Sequence, residues 1–145
     1  MTRRRFAQSC AFIACTLLPG VLLLGVLTSC EVGDASGTEL CLPGQACVCA
    51  GFSACTQECT TKGCAFECTG SGACTFLCPS GGCSAKGSGN GATQLSCSGG
   101  NCAMTCTGAG ACELTECTQG CALKCTGSGD CTNTCKHATC TKESK

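Results

Sequence analysis

Gly87-Ser88-Gly89-Asn90-Gly91-Ala92-Thr93 is the stretch on which the reading of this chain turns. From residue 41 to residue 140 a cysteine recurs every few residues, yet none lies between Cys83 and Cys97. Three related units show what is missing: Cys68-Thr69-Gly70-Ser71-Gly72-Ala73-Cys74, Cys106-Thr107-Gly108-Ala109-Gly110-Ala111-Cys112 and Cys125-Thr126-Gly127-Ser128-Gly129-Asp130-Cys131. Set beneath them, the cysteine-free stretch keeps both glycines, Gly89 and Gly91, and has lost the cysteine at each end. Two bridge partners absent together point to a bond that normally joins those ends.

Between Cys55 and Cys140 the cysteine steps run 4, 5, 4, 6 and repeat, a period of nineteen. Cys55, Cys74, Thr93, Cys112 and Cys131 form one column, and Cys64, Cys83, Cys102, Cys121 and Cys140 another. A fixed period of this length marks a repeat architecture. Joining each cysteine to its neighbour across the longer gaps gives Cys41 with Cys47, Cys49 with Cys55, Cys59 with Cys64, Cys68 with Cys74 and Cys78 with Cys83. It continues with Cys97 to Cys102, Cys106 to Cys112, Cys117 to Cys121, Cys125 to Cys131 and Cys135 to Cys140, and strands none. Pairing across the three-residue gaps would instead orphan Cys83 and Cys97. If those gaps are strands, it would also ask a disulfide to span about 13 Å, where Cα separations reach only ~6.8 Å. Bridges between equivalent cysteines one coil apart stay open on spacing alone.

Each three-residue gap reads Cys-x-Φ-x-Cys, and alternation puts its first, third and fifth residues on one face of a strand. The central residues are Gln57, Phe66, Phe76, Ala85, Leu95, Met104, Leu114, Leu123, Asn133 and Lys142. The middle seven are apolar and the outermost polar, as a stacked column with water-facing ends requires. Between strands lie Gly- and Ser-rich turns, where glycine permits positive φ. The fold expected is all-β: a thin, disulfide-braced β-solenoid of about five nineteen-residue coils, two short strands to each. Cys112-Glu113-Leu114-Thr115-Glu116-Cys117 has one residue too many, and the turn Thr118-Gln119-Gly120 is one short, which reads as a local bulge.

Twenty-three Cys and 21 Gly in 145 residues, with no Trp and no Tyr, describe a domain in which cross-links replace much of an apolar core. Cysteine this dense implies an oxidising compartment. The first thirty residues supply a route there: Arg3-Arg4-Arg5, an apolar run from Ala11 to Leu27, then small residues, the layout of an export signal. Pro19-Gly20 interrupts a run already short for a membrane span of ~20 residues. The three Arg all lie in this signal, so from Cys30 onward six Lys face nine acidic side chains. Without a basic stripe or interleaved aromatics, nucleic acid is not expected as a partner.

Leu27-Thr28-Ser29-Cys30 resembles the bacterial lipobox, in which an aliphatic and two small residues precede a cysteine that is acylated and becomes the new N-terminus. The resemblance implies a signal peptide over 1–29, a lipidated tether over 30–40 and a Cys-rich repeat domain over 41–145, held to a membrane through lipid on Cys30. Thr2-Arg3-Arg4-x-Phe6 also looks like a twin-arginine signal, although the Leu-rich run suits the general secretory route. Over residues 41–140 the cadence is similar to Cys/Gly-rich repeat lipoproteins of uncertain function in large-genome Gram-negative bacteria, a likeness that brings no site residues with it. The plan also resembles the disulfide-braced solenoids of insect antifreeze proteins. Regular Thr rows are missing, however: the columns of Thr56, Thr75 and Thr132-x-Thr134 also hold Leu77, Gln94, Glu113 and Lys124.

Little in the chain suggests chemistry. His137, the one histidine, reads as a solvated turn residue, and no spacing implies paired carboxylates. Gly87 to Gly91 lacks the Lys-Ser/Thr and the strand-to-helix setting of a phosphate loop. So many sulfurs could bind Zn²⁺ or Cu⁺, but export, the even count, the paired loss and five-residue loops argue against it. No catalytic residue, metal ligand or cofactor is expected. The expectation is an exported, lipid-anchored structural or adhesive rod at the cell envelope or surface, its partner there unidentified, with a metal-thiolate protein or a ligand- or ice-binding module as the alternatives.

Overall fold

Residues 37–135 and 140–144 are described by the computed structural model. The expected signal peptide over 1–29, Cys30 and His137 lie outside them. Among the described residues every regular element is a short strand: β1 Thr38–Leu40, β2 Ala46–Cys49, β3 Cys55–Glu58, β4 Ala65–Cys68, β5 Cys74–Leu77, β6 Ser84–Gly87, β7 Thr93–Ser96, β8 Ala103–Cys106, β9 Cys112–Thr115, β10 Ala122–Cys125, β11 Cys131–Asn133 and β12 Thr141–Ser144. Odd-numbered strands stack into one parallel sheet, β1-β3-β5-β7-β9-β11, and even-numbered ones into another, β12-β10-β8-β6-β4-β2. This is the expected β-solenoid of about five turns. Six rungs at ~4.8 Å spacing make a stack about 24 Å tall.

Register follows the nineteen-residue period. Phe66 lies over Ala85, Ala85 over Met104 and Met104 over Leu123 in the even sheet, while Phe76, Leu95 and Leu114 align in the odd one. The strands turn these residues inward, and all seven are buried. The two sheets meet through this single file of central pairs. Phe66 and Phe76 stack across it with ring centroids 4.6 Å apart and planes 12° from parallel. Cystines wall the file on either side: Cys59, Cys68, Cys78 and Cys97 are fully buried.

Nine of the neighbour pairs are disulfides: 41–47, 49–55, 59–64, 68–74, 78–83, 97–102, 106–112, 117–121 and 125–131, with Cα separations from 5.8 to 6.6 Å. The bridges therefore clasp the corners within a coil and do not link successive coils. The tenth pair departs from expectation: Cys135 and Cys140 are free and half-buried. They belong to the last described coil, where β11 shrinks to three residues.

Three other differences have physical causes. The solenoid starts earlier than the cysteine pattern, because β1 recruits Thr38, Glu39 and Leu40 from the expected tether and pairs them with Thr56, Gln57 and Glu58. Gln57 is consequently covered and only 6% exposed, where a water-facing end residue was expected. The glycines of the Thr-Gly-x-Gly turns do not have positive φ. They are required by close stacking: a Cβ on Gly108 would lie 2.0 Å from the Gly89 carbonyl oxygen, and one on Gly110 1.9 Å from that of Gly91.

Apart from Gly51 in the first coil, at φ 112°, positive φ falls at the opposite corner, where a column at the same period holds Gly44, Gly63, Gly82, Asn101 and Gly120 with φ from 57° to 86°. Asn101 is the one side chain in it, and asparagine tolerates the left-handed region better than most. The extra residue Glu116 also has φ 56°, as a bulge demands. Its carboxylate accepts a 2.6 Å hydrogen bond from the Ser96 hydroxyl, and the ladder beneath continues with Thr134 N–H donating to the Leu114 carbonyl.

Candidate functional site

Corner closure brings sulfurs of successive coils together. Three sets of Sγ atoms lie within 4.8 Å of one another: Cys78, Cys83 and Cys102; Cys97, Cys117 and Cys121; Cys117, Cys135 and Cys140. In the first two every sulfur is already in a disulfide, and cystine sulfur is not the thiolate that a metal or electrophile needs. The third sets the Cys117–Cys121 bridge beside the two free thiols. Burial, then a hydrogen bond with the Cys140 thiol, pushes the Cys135 thiol above its ordinary value of 9.0, so it is protonated at neutral pH. Two thiols, that of Cys135 protonated, and a cystine sulfur fall short of the four-ligand set of a structural zinc.

The outer faces are ladders of aligned side chains. On the odd sheet the column runs Thr38, Thr56, Thr75, Gln94, Glu113, Thr132. Gln94 donates to the Glu113 carboxylate at 3.2 Å, one coil away. A shallow depression of 260 Å³ lies along this column between Ala73 and Thr132. The three lower threonines align, but Leu40, Glu58 and Leu77 beside them do not repeat the pattern.

On the even sheet, Ala46, Ala65, Ser84, Ala103 and Ala122 form a file of small residues beside Val48, Glu67, Lys86, Thr105 and Lys124. The short side chains leave a shallow groove of 420 Å³. Its charged wall is engaged from rung to rung: Lys86 pairs with Glu67 at 3.4 Å, and Lys124 with Glu143 at 3.5 Å. Both ladders present mixed, paired polar groups on a flat sheet.

One set of residues escaped the repeat reading. Leu40, Leu42, Val48 and Phe52 are the large hydrophobic side chains that stand exposed among the described residues, and all four belong to the first coil. Their signal in the sequence was positional: apolar residues at outward or turn positions, Phe52 above all, which sits in a Gly-Phe-Ser turn. No known protein family, curated protein or solved structure was found to match this chain.

Proposed function

We propose that this chain is an exported, lipid-anchored structural or adhesive protein of the bacterial envelope, without catalysis. A diacylglyceryl group on Cys30 holds it to the membrane, and the cystine-clasped solenoid is displayed beyond. The observation that carries this reading is the closure of nine corners by disulfides. Each closes a loop of about six residues and contributes about 2 kcal/mol in the chain-entropy model, giving rigidity that one file of apolar side chains would not. Cystine at this density belongs to an oxidising, extracytoplasmic setting, which agrees with the basic-then-apolar start and Leu27-Thr28-Ser29-Cys30. The mixed outer ladders favour a scaffold over an ice-binding face.

Intact mass of the natively exported protein, unreduced, tests the covalent part: two hydrogens fewer for each bridge, with lipid mapped to Cys30. Free thiols throughout, with bound metal, would replace this reading by metal handling. A deletion strain tests the role. Loss of envelope integrity or of surface attachment is expected, and a strain unchanged in both would overturn the proposal.

A further inference from the structure

The two ends of the solenoid differ in chemistry. At the last rung, Thr141, Lys142, Glu143 and Ser144 of β12 are all exposed, and charges on an edge strand keep it in water and discourage pairing with another chain. At the first rung, Leu40 is 69% exposed, Leu42 53%, Val48 44% and Phe52 91%. Leu40 and Leu42 flank the corner after β1, while Val48 and Phe52 flank the corner after β2, so both corners of one coil carry apolar side chains. From residue 53 to residue 135 no large hydrophobic side chain is exposed to that degree.

The chain reaches this same end from its proposed anchor. Cys30 and Gly37 are seven residue steps apart, which span at most about 25 Å when fully extended. We infer that the first coil of the solenoid rests on the membrane, with Leu40, Leu42 and Phe52 seated in the headgroup–acyl boundary and Val48 at its margin. This rests on the lipid-anchor reading of Cys30. The depth is interfacial: β1 pairs only with β3 and β2 only with β4, and the unpaired backbone groups of two edge strands demand hydrogen bonds that hydrocarbon lacks and headgroups supply. The surface is zwitterionic, because residues 30–55 hold Glu31, Asp34 and Glu39 and no Lys or Arg. Anionic lipid would repel this end.

The chain has no Trp, so one introduced indole reports its own surroundings. Full-length lipidated protein carrying Phe52→Trp, and a second carrying Lys142→Trp, would be reconstituted in phosphatidylcholine vesicles with and without bromine on the acyl chains. The inference expects blue-shifted Phe52→Trp emission that brominated lipid quenches at least twofold, less quenching when phosphatidylglycerol is added, and water-like, unquenched emission from Lys142→Trp. Water-like emission at both sites, in protein that floats with the vesicles, would overturn the inference and leave the anchor standing. A blue shift without vesicles, with dimers in sedimentation, would assign the apolar coil to a second copy and also overturn it. Protein whose intact mass lacks lipid on Cys30 would remove the anchor reading and this inference with it.

Discussion

Gly87 and Thr93 face each other at a corner where the coils above and below carry a disulfide. A Cβ on Gly87 would stand 2.8 Å from Thr93 Oγ1 and 3.3 Å from Cys112 Sγ. Gly87 lies in register between Cys68 and Cys106, and Thr93 between Cys74 and Cys112. The buried threonine occupies space that a cystine takes elsewhere, and glycine opposite gives it room. Replacing both, Gly87→Cys with Thr93→Cys, should close a new bridge: the unreduced mass should fall by two hydrogens relative to the reduced form. The midpoint of urea unfolding should rise by an amount equivalent to about 2 kcal/mol. Thr93→Cys alone should lack that gain and leave a thiol crowded against the Cys106–Cys112 pair.

The two classes of glycine should respond differently to alanine. Gly108→Ala drives a methyl into the Gly89 carbonyl oxygen, an overlap that rigid stacked backbones cannot absorb, so a loss of about 3 kcal/mol or more is expected. Gly82→Ala meets nothing closer than 3.7 Å but must hold φ at 72°, costing about 1–2 kcal/mol. Urea unfolding under non-reducing conditions would rank them. Equal losses would contradict the distinction between stacking glycines and left-handed ones.

Gln57 should be improvable. It is buried beneath β1, and its Oε1 has no hydrogen-bond partner, a condition that costs about 1–3 kcal/mol. Phe76 and Leu95 continue its column. Gln57→Leu should therefore stabilise the fold by about 1–2 kcal/mol, read as a higher unfolding midpoint with unchanged dichroism. Destabilisation would mean that the amide is held by a bond the leucine loses.

Cys135 gives a pH signature. Its thiol titrates above 9.0 because burial and the Cys140 thiol favour the neutral form. The folded protein thus holds this proton more tightly than the unfolded chain does. The associated stability is complete below pH 9 and is lost as pH rises through the folded value. Alkylation of Cys135 by iodoacetamide should be slow at pH 7.5 and should climb with an inflection above 9. An inflection at or below 9.0 would show an ordinary exposed thiol and overturn the shift.

Much of this was legible because period two along a strand and period nineteen along the chain act on the same residues. Cys-x-Phe-x-Cys at 64–68 fixes an inward Phe66, and its repeat nineteen residues on fixes Ala85 beneath the same neighbours. What stayed hidden has no period. β1 contains no cysteine, so Thr38–Leu40 could not be counted as a rung, and Gln57 was misplaced with it. The role of Gly108 depends on the distance between coils, which composition does not encode. Cys135 and Cys140 obey the cadence perfectly. They flank the last described corner, beside a β11 cut to three residues, and the cadence does not register that shortening.

Because every disulfide among the described residues closes a corner within its own coil, the bonds between these coils are only hydrogen bonds and side-chain contacts. Pulled along its axis, such a rod would yield by peeling one rung at a time from either end, each release independent of the next. The residues inside each clasp would stay looped and add nothing to the extended length. A rod built this way would give under load in short, repeatable steps and recover when the load falls, with no covalent bond broken.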